Sequence, residues 1–167
     1  MDPKIELLVE QLSFCHEQTV KTASGVPESA RLLQLRPAKA HPLWLLGHLA
    51  NTANVVMIQW ALNGENIAPK GFGKKFAPDF GGGDAVTTNA ADYPAWDEVV
   101  GTYEKAMDTA IDGVKKLGEA DLPKPLPGRI PDPLRQHFSS IGKSLNMMVL
   151  HDSYHRGQIG LLGALDK

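Results

Sequence analysis

The sequence predicts an all-α fold, a four-helix bundle with long inter-helix loops, built as a single domain over residues 1–167. Three observations lead there. Apolar residues recur at helical spacing in four long segments, and no segment alternates convincingly as a strand would. The chain has 16 glycines and 12 prolines, and fifteen of these 28 breakers are concentrated in residues 64–92 and 118–138, which leaves the rest of the chain free to form long helices. With 167 residues, 43% of them hydrophobic, it is long enough to bury one core.

The first helix is expected over residues 2–23, where Ile5, Leu8, Leu12, Cys15 and Thr19 share a face; Asp2 caps it and Pro3 takes the first helical position. Residues 26–40 promise no more than one short helical turn. A second helix should start at Pro42 and run to Asn63. Its main stripe is Leu43, Leu46, Leu49, Ala50, Ala53, Val56, Met57 and Trp60, but Leu45, Val55 and Ile58 fill other faces, so it should be buried all round. Pro94 announces the third, in which Trp96, Val99, Val100, Tyr103, Met107, Ala110, Val114 and Leu117 keep the helical period until Gly118. The fourth begins with Ser139 or Ser140 as its cap and extends to Leu165, carrying Ile141, Leu145, Met148, Ile159 and Leu162 on one stripe. Either an up-and-down or a crossover connection satisfies this pattern.

A net charge of −2 and a pI near 6.3 provide no field to attract nucleic acid or an anionic membrane, and neither partner is expected. The lone Cys15 rules out an internal disulfide. The opening Met1-Asp2-Pro3-Lys4 leads into no apolar signal core, and no run approaches the ~18 apolar residues of a membrane span. A cytoplasmic location is the expectation.

His151 and His155 lie four apart on one face of the fourth helix, one turn from each other, and interrupt its apolar stripe. His48 sits in the buried second helix. Two imidazoles at i and i+4 with a third from a facing helix is how a bundle builds a three-histidine metal site; the competing reading is three satisfied core histidines.

Leu46-Gly47-His48-Leu49-Ala50 and His151-Asp152-Ser153-Tyr154-His155-Arg156-Gly157-Gln158-Ile159 resemble motifs of the DinB/YfiT-like superfamily of bacterial metal-binding helical bundles. The resemblance covers nearly the whole chain in helix order and length. It implies that His48, His151 and His155 ligate a divalent metal, that the protein is a homodimer, and that Arg156 and Gln158 help orient the ligands. Characterised members include S-transferases and isomerases that use low-molecular-weight thiols such as bacillithiol or mycothiol. The implied reaction is attack of an activated thiolate on a small electrophilic substrate, with a non-catalytic metal-binding stress-response or interaction bundle as the alternative. One departure stands out: members often carry a carboxylate about one turn after the first histidine, where this chain has Asn51 and Thr52, so Asn51 is left to hydrogen-bond a ligand instead. Asp152 should point about 100° away from His151 and support the site rather than ligate.

Three neutral imidazoles suit zinc, nickel, copper or iron better than magnesium or calcium, and zinc or nickel is the expected ion. Three protein ligands leave a coordination position open, the mark of a catalytic site. Among the remaining candidates, Cys15 is expected to be buried packing, His16 a bundle-edge residue rather than a fourth ligand, His41 a helix-start residue and His137 a loop residue. Gly157, Gly160 and Gly163 should allow close helix approach. Gly71-Phe72-Gly73-Lys74-Lys75 lacks the phosphate-loop frame. Phe72, Phe76 and Phe80 are too aromatic for a solvated linker, and residues 64–92 and 118–138 are expected to cover the metal pocket.

Overall fold

The computed structural model describes residues 2–165, apart from the side chain of residue 80. Four long helices and one short one hold the chain, and no strand occurs among the described residues. Helix α1 spans Pro3–Ser24 and α2 begins with Pro42–Thr52; α3 is Phe72–Phe76, α4 is Trp96–Val114 and α5 is Ile141–Ala164. None is long and apolar enough to cross a membrane.

The caps show why the helices start where they do. The Asp2 carboxylate accepts from Lys4 N–H at 3.0 Å, with Pro3 following as the first helical residue. His41 caps α2 through its imidazole, Nδ1 accepting from Trp44 N–H at 3.1 Å while Nε2 meets Thr87 O at 2.9 Å. Glu98 accepts from Ala95 N–H at 3.0 Å at the head of α4, and Ser140, one of the two expected caps, heads α5. Residues 28–30 form a single 3₁₀ turn.

Beyond Thr52 the second helix departs from expectation. Ala53–Ala61 continues it as a π-helix, with i→i+5 hydrogen bonds. It closes with Leu62 N–H on Met57 O and Gly64 N–H on Ile58 O, around Asn63 in the left-handed region at φ 52°. A hydrophobic period does not distinguish such a widened helix when every face is buried.

Cross-helix pairs give the topology. Cys15 lies against Val149, Thr19 against Asp152 and Val26 against Gly163, so α1 and α5 run parallel. Thr19 and Tyr103 meet on Asp152, His16 meets Asp108, and Lys4 pairs with Glu119, so α1 and α4 are antiparallel. Leu62 packs on Gly113 at the C-terminal ends of α2 and α4, which are parallel neighbours. The bundle is therefore of the crossover kind: residues 62–95 must return along its length before α4 can start.

That return explains the first breaker-rich stretch. It carries α3, and Phe72 and Phe76 are buried as expected of an ordered cover; Phe80 falls outside the described side chains. The second stretch does not cover the histidines. It joins the adjacent ends of α4 and α5 and seals the far end of the bundle, with Gly128 N–H on Trp60 O, Ile141 N–H on Lys124 O and Gly142 N–H on Leu122 O, each at 2.9 Å. Leu126 and Ile130 bury their side chains there. Gly128 lies so close to α2 that an added Cβ would come within 2.6 Å of Trp60 Cα.

Candidate metal centre

His48 on α2 and His151 and His155 on α5 converge. One ligand atom from each lies within 4.8 Å of the other two, and the Nε2 atoms of His48 and His151 are 3.2 Å apart. His48 is buried and the α5 pair is half-buried. Two nitrogens bound to one zinc at ~2.0–2.1 Å with tetrahedral angles would stand about 3.3 Å apart, so the spacing suits a shared cation.

The nitrogens facing away from the cluster are also placed. His48 Nδ1 donates to Phe76 O at 2.9 Å, and His155 Nδ1 donates to Gln158 Oε1 at 2.6 Å. Each of these bonds puts the proton on Nδ1 and leaves the Nε2 lone pair for the cluster, as the outer partners of metal-bound imidazoles do. Trp44, one turn before His48, stacks on its ring at 4.9 Å between centroids and 10° between planes. Gly47 leaves room for the Phe76 ring, which an added Cβ would overlap. The cover segment therefore holds a histidine of the site with its backbone, a contact without a side-chain signature in the sequence.

Burial lowers the pKa of His48 to about 4, with the Phe76 carbonyl opposing and His155 adding to the drop. Burial likewise takes His151 to about 3, helped by His155 and His48, and lowers His155. All three imidazoles are thus neutral at pH 7, the protonation state a metal requires. His41, fully buried in its capping role, is also lowered by burial. Below pH 6.5 the unfolded chain binds protons at these positions that the native protein refuses, so stability is complete above pH 6.5 and falls as pH drops toward 4. For metal-free protein the expected slope is about 1.4 kcal/mol per pH unit for each of His48 and His151, with His155 and His41 adding in the same direction. A urea midpoint equal at pH 7 and pH 5 would contradict this.

Asp152 points away from the cluster, as its place beside His151 requires. Thr19 Oγ1 donates to Oδ1 at 2.8 Å and Tyr103 Oη to Oδ2 at 2.7 Å, tying α5 to α1 and α4. Burial pushes its carboxyl up against the pull of these bonds and of Arg156. Neither Thr19 nor Tyr103 stands near Asp152 in sequence, so this pairing was not legible there. Arg156 sits 3.8 Å from Asp152 Oδ1 and over the Phe14 ring at 5.7 Å, bridging α5 to α1. Asn51 is buried beside Gly73 of α3, and its Oδ1 has no hydrogen-bond partner among the described residues. His16 faces Asp108 at 3.4 Å and the edge of Tyr103, away from the triad. His137 lies in the loop before α5, and Cys15 is buried with its thiol pushed up by burial.

Residues 11–159 match the family model of the DinB superfamily. The chain belongs to the DinB superfamily. No curated protein matches it. Within a DinB-superfamily bundle the three-histidine cluster is a site able to bind a metal, and it involves three protein donors among the described residues.

Proposed function

We propose that this DinB-superfamily protein is a metal-dependent S-transferase that joins a low-molecular-weight thiol to a small electrophile, with zinc or nickel held by His48, His151 and His155. The observation carrying this reading is a set of three neutral imidazoles with no fourth His, Cys, Asp or Glu in the group among the described residues, which leaves a position for an exogenous ligand. When bound, the cation stabilises the anion of a coordinated thiol and so supplies a nucleophile at neutral pH. The thiol proton leaves to solvent; the sulfur forms a bond to the electrophilic carbon, and the leaving group departs with its electron pair. The chain's part is positional. Phe76 and Gln158 orient two imidazoles, Trp44 shields one ring face, and Asn51 offers an uncommitted amide oxygen one turn from His48.

The second reading is a non-catalytic metal-binding stress-response or interaction bundle. It is favoured by the small size of the cavity touching the cluster, about 10 Å³. Metal-loaded protein assayed with several thiols and a chromogenic electrophile is expected to outpace His48→Ala by at least a hundredfold. Equal rates would leave the second reading standing.

We further propose a cytoplasmic homodimer. Leu150, Tyr154 and Leu161 form an exposed apolar stripe on α5, with Leu7 and Phe14 exposed on the adjacent α1. Gly163 packs against Val26 and Gly160 touches Thr22, both in keeping with close helix approach, but Gly157 meets nothing within 4 Å. It lies mid-stripe, with Tyr154 and Leu150 before it and Leu161 after it, so an antiparallel copy of α5 crossing there would be self-complementary. Sedimentation should give twice 18.1 kDa, and Leu161→Lys should give the single chain mass. A wild-type monomer would refute the dimer.

A further inference from the structure

His48 and His155 each have a protein acceptor on Nδ1, and among the described residues His151 has none. A cavity of about 10 Å³ lies against His151 instead. Its polar lining is His151, Asp152 and Thr52, and Ala53 and three methionines complete the apolar remainder with leucines. That volume corresponds to about one water-sized probe, the least that admits a water, and a buried water needs two to four polar partners.

The three polar residues match a water in donors and acceptors. His151 Nδ1–H can donate one hydrogen bond to it. Thr52 already directs its hydroxyl proton to His48 O at 2.9 Å, which leaves an oxygen lone pair to accept from the water. The Asp152 carboxylate accepts from Thr19 and Tyr103 and retains further lone pairs for the second water hydrogen. One acceptance and two donations satisfy the water, and the same contacts place the His151 proton on Nδ1.

We propose that this cavity is a single-water site and that Asp152, acting through the water, is the positioning residue that holds His151 with its Nε2 lone pair toward His48. Asp152 is itself fixed by hydroxyls from α1 and α4, so the orientation of this imidazole is set by the whole bundle rather than by α5 alone. The effect on metal affinity rests on reading the triad as a metal site; the water and the tautomer do not.

The test uses full-length, metal-free protein and ¹⁵N–¹H NMR of the imidazole nitrogens. Wild type should show His151 protonated on Nδ1, with a cross-peak from that proton to a bound water. Ala53→Val fills the cavity and should remove the cross-peak and mix the tautomers; Asp152→Asn should also mix them. Thr52→Val keeps the volume, removes one water partner, and serves if Ala53→Val does not fold. Zinc affinity, read by competition with a chromophoric chelator, should fall about tenfold or more in each. An Nε2–H tautomer in wild type, or an unchanged tautomer in folded Ala53→Val, overturns the water site. An unchanged tautomer in Asp152→Asn overturns the role of that residue. If the tautomers respond as expected but zinc binds neither wild type nor variants, the metal reading fails and the water site stands.

Discussion

His155→Ala should abolish metal binding. Protein purified without a nickel column is expected to carry about one zinc or nickel per chain by elemental analysis, and the variant close to none, because two imidazoles with two open positions cannot retain an ion through purification. The substitution removes a side chain that is only half-buried, so the bundle itself should still fold. Added zinc should raise the melting temperature of wild type, since a ligand that binds only the native state stabilises it by mass action, and should leave the variant unmoved. Gln158→Ala supplies the graded case. It deletes the acceptor on His155 Nδ1 but no ligand, so the ion should be retained with affinity reduced about tenfold or more. Equal metal content in wild type and His155→Ala would sink the proposed site.

What the sequence disclosed follows from which interactions are local. Helix starts were legible because a cap is a contact over two or three residues: Asp2 to Lys4, His41 to Trp44, Ser140 to Lys143. The pairing of His151 with His155 was legible because one turn of helix separates them. Placing His48 against them required two helices to face each other, which burial of α2 suggested and the family resemblance sharpened. The supports were hidden for a different reason. Phe76 acts through its carbonyl, an atom every residue has, across 28 positions. The grip of Thr19 and Tyr103 on Asp152 joins three helices whose order in space no periodicity encodes. Charge and composition were equally silent on the π-helical stretch. The two breaker-rich segments looked alike in sequence, yet one crosses the bundle beside the histidines and the other closes its opposite end. The first is held chiefly where its backbone meets the side chains of His41, His48 and Asn54, the second by backbone–backbone bonds, and neither kind of contact marks the segment's own side chains.

Gly47→Ala tests whether the cover segment and the metal centre are one unit. At an ordinary helical position this change is favourable by about 1 kcal/mol, and Gly101, exposed in α4 with nothing within 4 Å, should show that gain. At Gly47 the new methyl overlaps the ring of Phe76. That ring is fully buried between Phe72, at 4.6 Å, and Tyr93, at 5.7 Å, and so has little space into which to turn. Overpacking of this kind costs roughly 1–3 kcal/mol, which outweighs the helical gain and leaves the variant destabilised by up to about 2 kcal/mol in urea unfolding. Relief requires α3 to retreat from α2, and the carbonyl of the same Phe76 is the acceptor for His48 Nδ1. Metal affinity should therefore fall with stability, by about tenfold, although Gly47 ligates nothing. Phe76→Leu added to Gly47→Ala should restore part of both losses, because a smaller side chain lets the backbone return; the two changes should couple by about 0.5–3 kcal/mol. Strict additivity, or a destabilised Gly47→Ala with full metal affinity, would separate the cover from the site and leave Phe76 a packing residue alone.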